Sequence, residues 1–195
     1  DHVGKLAAAI SRKSGIDDEA IQSGENLLLT FTNIRNEAGK GNAIFDRSTQ
    51  AITDMSVALG QDMKSSAIQL GKAINDPVKG VTALQRVGVS FTAQQKDQIK
   101  ALVESGNKLK AQKIILGEVN KEFGGSAAAA GSTFTGSINK AKTALGNLGE
   151  KIGGAVAPAL ADAADHLTVF VQQMTDGTGA GGHFVDKMND VWGVL

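Results

Sequence analysis

The 195 residues balance 20 Lys and Arg against 20 Asp and Glu, so no net charge draws the chain to nucleic acid or an anionic membrane. Cysteine is absent, which excludes disulfides and thiolate metal sites. Glycine supplies 24 residues, close to twice its usual ~7% share, alongside two prolines, one Trp and no Tyr. A core of Ala, Ile, Leu and Val suits close helix–helix contact better than a ligand pocket with aromatic walls.

The first residues, Asp1-His2-Val3-Gly4-Lys5, carry no signal core, and a start at Asp is expected of a segment cut from a longer polypeptide. The longest charge-free apolar run, Ile152 to Ala161, falls far short of the ~20 residues that span a bilayer.

Along the chain the dominant period is helical. Asp17-Asp18-Glu19 places acids where a helix start favours them, and Ile21, Leu27, Leu28, Phe31 and Ile34 follow on apolar faces. Glu37 to Asn42 reads as a flexible loop. A helix is predicted from Ala43 to Leu59 and another from about Asp62 to Ile74. Asp76-Pro77 then offers a cap acceptor followed by a proline whose missing N–H is harmless in a first turn, and Gly88 stops that helix. Thr92-Ala93-Gln94-Gln95 has the capping-box pattern and opens a helix burying Ile99, Leu102 and Val103. Ser105-Gly106-Asn107 closes it, and Ile115, Val119 and Phe123 share one face of the next. Gly124-Gly125 is expected to end a compact helical region over residues 1–125.

From Ser126 the texture turns to Ala, Gly, Ser and Thr. Ile138, Ala141, Leu145, Leu148, Ile152, Ala155 and Ala159 alternate steps of three and four, a heptad seam, with Pro158 expected to kink or break the helix near its end. Residues 126–176 are therefore read as heptad helices. A glycine loop, Gly177 to Gly182, then leads into a terminal amphipathic helix within 177–195. The seam fits packing inside one subunit or self-association of parallel copies. Gly146, Gly149, Gly153 and Gly154 lower helix propensity and favour close packing against a partner. The expected fold class is all-α, a multi-helix bundle followed by helices that could be coiled-coil-like between copies.

Chemical motifs are sparse. Gly177-Thr178-Gly179-Ala180-Gly181-Gly182 satisfies G-x-G-x-x-G and follows Leu167 to Val171, which could pass for a strand. A dinucleotide site needs that loop inside a βαβ unit, however, and no alternation of strands and helices surrounds it. Asp162, Asp165 and His166 share a helix face, but without a second ligand cluster they read as an exposed polar surface. Lys96, Lys100, Lys108, Lys110, Lys113 and Lys121 form a basic run broken by Asp97, Glu104, Glu118 and Glu122, with no aromatic platform for bases. Neither a phosphate-binding P-loop nor a G-x-S-x-G elbow occurs. The expectation is a non-enzyme with no catalytic, cofactor-binding or metal residues.

One block carries a resemblance. Leu70-Gly71-Lys72-Ala73-Ile74-Asn75-Asp76-Pro77, continuing through Val78-Lys79-Gly80-Val81 to Gly88-Val89-Ser90-Phe91-Thr92, is similar to the core region of siphophage and prophage tail tape-measure proteins. Ala111-Gln112-Lys113-Ile114-Ile115-Leu116 and Phe123-Gly124-Gly125 continue it. Leu6 to Gly60, Thr133-Phe134-Thr135-Gly136, Leu145-Gly146-Asn147-Leu148 and Pro158-Ala159-Leu160 extend it over most of the chain. The resemblance implies a structural virion protein, packed as several copies, commonly three, in the tail lumen after assembly in the host cytoplasm. It would template tail length and leave ahead of the genome at ejection. Its implied partners are further copies of itself, tail tube and tail-tip proteins and tail-assembly chaperones, with no specific nucleic acid. The alternative is a membrane-active module, in which helices around Leu160 to Met174 and Phe184 to Leu195 meet the host membrane on delivery. As one straight helix the chain would extend about 290 Å at 1.5 Å per residue. Its many caps and glycine stops instead predict a folded module rather than the ruler itself.

Overall fold

A computed structural model describes residues 2–39, 41–152 and 157–192, excepting the side chains of 134, 149–152, 157–160 and 191–192. The protein is all-α. Among the described residues there is no strand, and one antiparallel bridge joins Asn36 to Ala43. Two units are present, residues 1–133 and 134–195.

The first unit holds α1 (His2–Ser14), α2 (Asp18–Leu29), α3 (Ile44–Leu59), α4 (Met63–Asn75), α5 (Pro77–Gln85), α6 (Ala93–Glu104), α7 (Lys108–Phe123) and α8 (Ser126–Gly131). Its helix starts obey local chemistry. The Asp62 carboxylate accepts from the Ser65 amide at 2.8 Å and from its hydroxyl at 2.7 Å, and these bonds hold the acid below its ordinary range. Asp76 accepts from the Lys79 amide, with Pro77 opening α5. Thr92 and Gln95 close a reciprocal capping box, their two bonds 3.1 and 2.8 Å long.

α3 lies at the centre, with α2, α4, α7 and α8 packed around it. It buries Ile44, Phe45, Ile52 and Met55 together with Ser48, Thr49, Thr53, Asp54 and Ser56. Thr49, Thr53 and Ser56 donate back to carbonyls of α3 itself, so their hydroxyls enter the core already paired. Leu70, Ile74, Leu84, Ile99, Ile115 and Leu116 complete the core from α4 to α7.

Two differences from the sequence pattern have clear causes. α2 ends at Leu29, so Phe31 and Ile34 lie beyond it. The Arg35 guanidinium donates to the carbonyls of Leu29 and Phe31, and Gln112 donates to those of Asn33 and Ile74, giving partners to this connection around the buried Ile34. α8, past Gly125, belongs to the first unit because the buried Asp54 carboxylate accepts from the Ala127 amide at 3.0 Å.

The second unit contains α9 (Phe134–Ile152), α10 (Ala157–Asp176) and α11 (Gly179–Trp192), with α10 packed against both others. Pro158 falls in the first turn of α10, where proline is tolerated. Leu167 to Val171 is helical. The glycine loop is shorter than Gly177 to Gly182 suggests: Gly179, Gly181 and Gly182 belong to α11, because they let that helix pass close to the end of α10.

α4 and α5 approach so closely that a methyl group added at Gly80 would fall on the Cα of Ala73. Gly80→Ala is expected to destabilise the first unit by about 2 kcal/mol or more, as overpacking against rigid backbone does. Urea unfolding followed by circular dichroism measures this, and a neutral substitution would contradict the packing described.

Candidate functional site

The heptad seam lies in the second unit. Ile138 and Leu145 are half-buried, Ala141 is exposed, and Leu148 keeps 44% of its surface in solvent. The seam positions Ile152, Ala155 and Ala159 lie outside the described side chains. Apolar exposure extends to the other two helices: Val169, Phe184 and Met188 are 51, 48 and 39% exposed. Ala164 is the buried apolar side chain among the described residues of this unit. Phe170 and Phe184 meet at a ring separation of 5.9 Å, tilted by 57°. Among the described side chains of the three helices, several large apolar ones are thus left open to a partner.

The remaining sequence candidates do not assemble into chemistry. Asp162, Asp165 and His166 are exposed on α10. Among the described residues the one close acidic group is Asp17, Asp18 and Glu19, whose carboxylate oxygens lie within 4.8 Å of one another in the region that opens α2. Acids at that position complement the helix dipole. The basic run is dispersed over α6 and α7. Lys100 pairs with Glu104 at 3.9 Å and Lys121 with Glu118 at 3.6 Å, as on a solvated helix face. A depression of about 580 Å³ between α2, α3 and α4 is lined by Ile16, Ala20, Val57 and Met63, with Asp62 and Lys64 alongside.

The structure also shows a polar centre that motif reading passes over. Glu25 of α2 is fully buried, and neither carboxylate oxygen has a hydrogen-bond partner. Burial pushes its carboxyl up to about 7, the nearby His2 opposing the shift and Asp46 adding to it. His2 of α1 and Asp46 of α3 meet at 2.7 Å, and Asn36 donates to the same Asp46 oxygen at 2.7 Å. Helical spacing does hold the signal: Glu25 stands four residues after Ile21 and three before Leu28, within the apolar stripe of α2.

Comparison with known proteins finds no matching family model, curated protein or solved structure.

The glycine-rich turn offers a direct check on nucleotide chemistry. Gly179 has a φ of 54° and faces the Gln173 side chain, while a helix, not a strand, leads into the turn. Gly179→Ala is expected to lower stability by about 1 kcal/mol or more through backbone strain and crowding of the Gln173 side chain. Thermal melts with and without dinucleotides should show the same decrement, whereas a nucleotide-dependent shift lost in the variant would revive a dinucleotide site.

Proposed function

We propose that this chain is a segment of a phage tail tape-measure protein: a structural, non-enzymatic virion component that associates with its own copies in the tail lumen. The reading rests on the resemblance of the Leu70 to Gly125 block, and the open apolar faces of α9, α10 and α11 favour it physically. Within that block, Leu70, Ile74, Leu84, Ile99, Ile115 and Leu116 are core residues and Gly80 permits the α4–α5 approach. The block therefore describes a folded body, which favours a packed module of the tape over its length-setting rod.

In this role the seam Ile138, Ala141, Leu145, Leu148, Ile152, Ala155 and Ala159 would join parallel copies, the family's usual number being three. Tube and tip proteins would surround them, and assembly chaperones would cover the apolar faces before the tube closes. The membrane-active alternative draws on the same exposure of Val169, Phe184 and Met188. No described helix is long and apolar enough to cross a membrane, so that role would be interfacial.

Light scattering on the chain should show oligomers that Leu148→Asp shifts toward monomer by at least tenfold in dissociation constant, with helicity preserved. A monomer at all concentrations would remove the self-association. Identity is tested in the particle: the polypeptide should be found inside purified tails, and in-frame deletions in its reading frame should shorten them. Tails of unchanged length that lack the polypeptide would overturn the assignment. Leakage from anionic vesicles without self-association would favour the membrane reading.

A further inference from the structure

The buried carboxyl of Glu25 has consequences for the helix that covers it, independently of the functional reading above. α2 is packed by α1, α3 and α4. The charged groups acting on Glu25 from these elements are His2 of α1 and Asp46 of α3. The other charges on α1 and α4, namely Lys5, Arg12, Lys13, Lys64 and Lys72, stand exposed. No basic side chain within bonding distance neutralises Glu25, since both its oxygens lack a partner. An ionised carboxylate in that position gains by reaching water.

α1 is the covering element held least firmly. Of its buried residues, Ile10, Ser11 and Ser14 lie in its C-terminal half and Ala7 near its middle, with none in the first turn. That half also packs on α8: Gly131 of α8 sits against the carbonyls of Lys13 and Ser14. The other end packs partly buried Val3 and Leu6 on the core, and the His2–Asp46 bond is one of its ties, with His2 61% exposed. α3 and α4, by contrast, are fixed by many fully buried apolar side chains.

We propose that Glu25 makes the N-terminal end of α1 a proton-operated flap, docked while the carboxyl is protonated and lifted, pivoting near Gly15, when it ionises and takes up water. The sign follows from linkage. The docked state holds the proton more tightly than the lifted one, so docking is fully favoured below the ordinary carboxyl range. That preference is lost as pH rises toward the docked-state value of about 7 and is level above it.

Amide hydrogen exchange on the full chain, corrected for the intrinsic dependence of exchange on pH, reads the flap directly. Protection of the first turns of α1 should fall by roughly a hundredfold between pH 4.5 and 7.5, while α3 keeps its own. In a His2→Ala background, where the tie carries no imidazole, Glu25→Gln should abolish the pH dependence. His2→Ala should weaken protection at every pH but retain the slope, separating the tie from the sensor. A carbon-13 titration of the Glu25 carboxyl, which needs no variant, should have its midpoint near 7. A midpoint in the ordinary carboxyl range overturns the flap. So does a slope that survives Glu25→Gln in the His2→Ala background or vanishes in His2→Ala, or loss of protection in α1 and α3 together.

Discussion

The first unit depends on α3 being buried on nearly every side. A helix so enclosed favours pairing of the polar groups it brings into the core, and α3 carries Ser48, Thr49, Thr53, Asp54 and Ser56 among its buried residues, of which the Ser48 hydroxyl lacks a partner. Three of the hydroxyls are absorbed by the carbonyls of the helix itself. Asp54 works outward, accepting from the Ala127 amide and from the Gln50 side chain, so that α8 gains a partner and α3 keeps a satisfied acid. Removing that acceptor would leave a buried N–H costing about 1–3 kcal/mol, enough to decide where a six-residue helix packs. The closeness of α4 and α5 at Gly80 extends the same economy of space: small residues let backbone, rather than bulky aromatics, fill the volume around α3.

The second unit solves a different problem with the same residue types. Ala and Gly let α10 run close to α9 and α11, but they bury little apolar area and so add little hydrophobic stabilisation. Of the described large apolar side chains, Leu145, Leu167, Phe170 and Met174 are half-buried while Leu148, Val169, Phe184 and Met188 are left facing outward. An arrangement that encloses few large side chains is weakly stabilised alone and gains from any apolar surface that covers it. That is the physical content of the self-association proposed above, and two of the helices concerned, α9 and α11, carry glycines that lower intrinsic helix propensity.

Local chemistry made much of this fold legible beforehand. The caps at Asp62, Asp76-Pro77 and Thr92-Gln95 act within four residues of the chain, and the helices they open start where those residues imply. Features set by distant partners were not legible in that way. α2 stops before Phe31 because Arg35, Gln112 and the packing around Ile34 support a turn there, against a periodicity that could have continued. Gly181 and Gly182 resemble a loop by composition but are helical, because close passage against α10 needs residues without side chains. The heptad spacing from Ile138 to Leu148 was legible, but not the surface that meets it, which belongs to whatever partner the seam has.

Glu25 shows the same division from the other side. Its place in the apolar stripe of α2 could be read from Ile21 and Leu28, but the missing hydrogen-bond partner could not, since that depends on how α1, α3 and α4 close over it. A rod that only sets length needs no buried acid, because a solvated helix satisfies every carboxylate with water. A buried, unpaired carboxyl makes sense only in a body whose cover can move or whose cavity keeps the proton. In the first unit α1, α3 and α4 pack on the helix that holds the acid, and α1 brings His2 near enough to act on it. This favours a module able to change its packing with conditions, a property distinct from, and compatible with, a role inside a larger assembly.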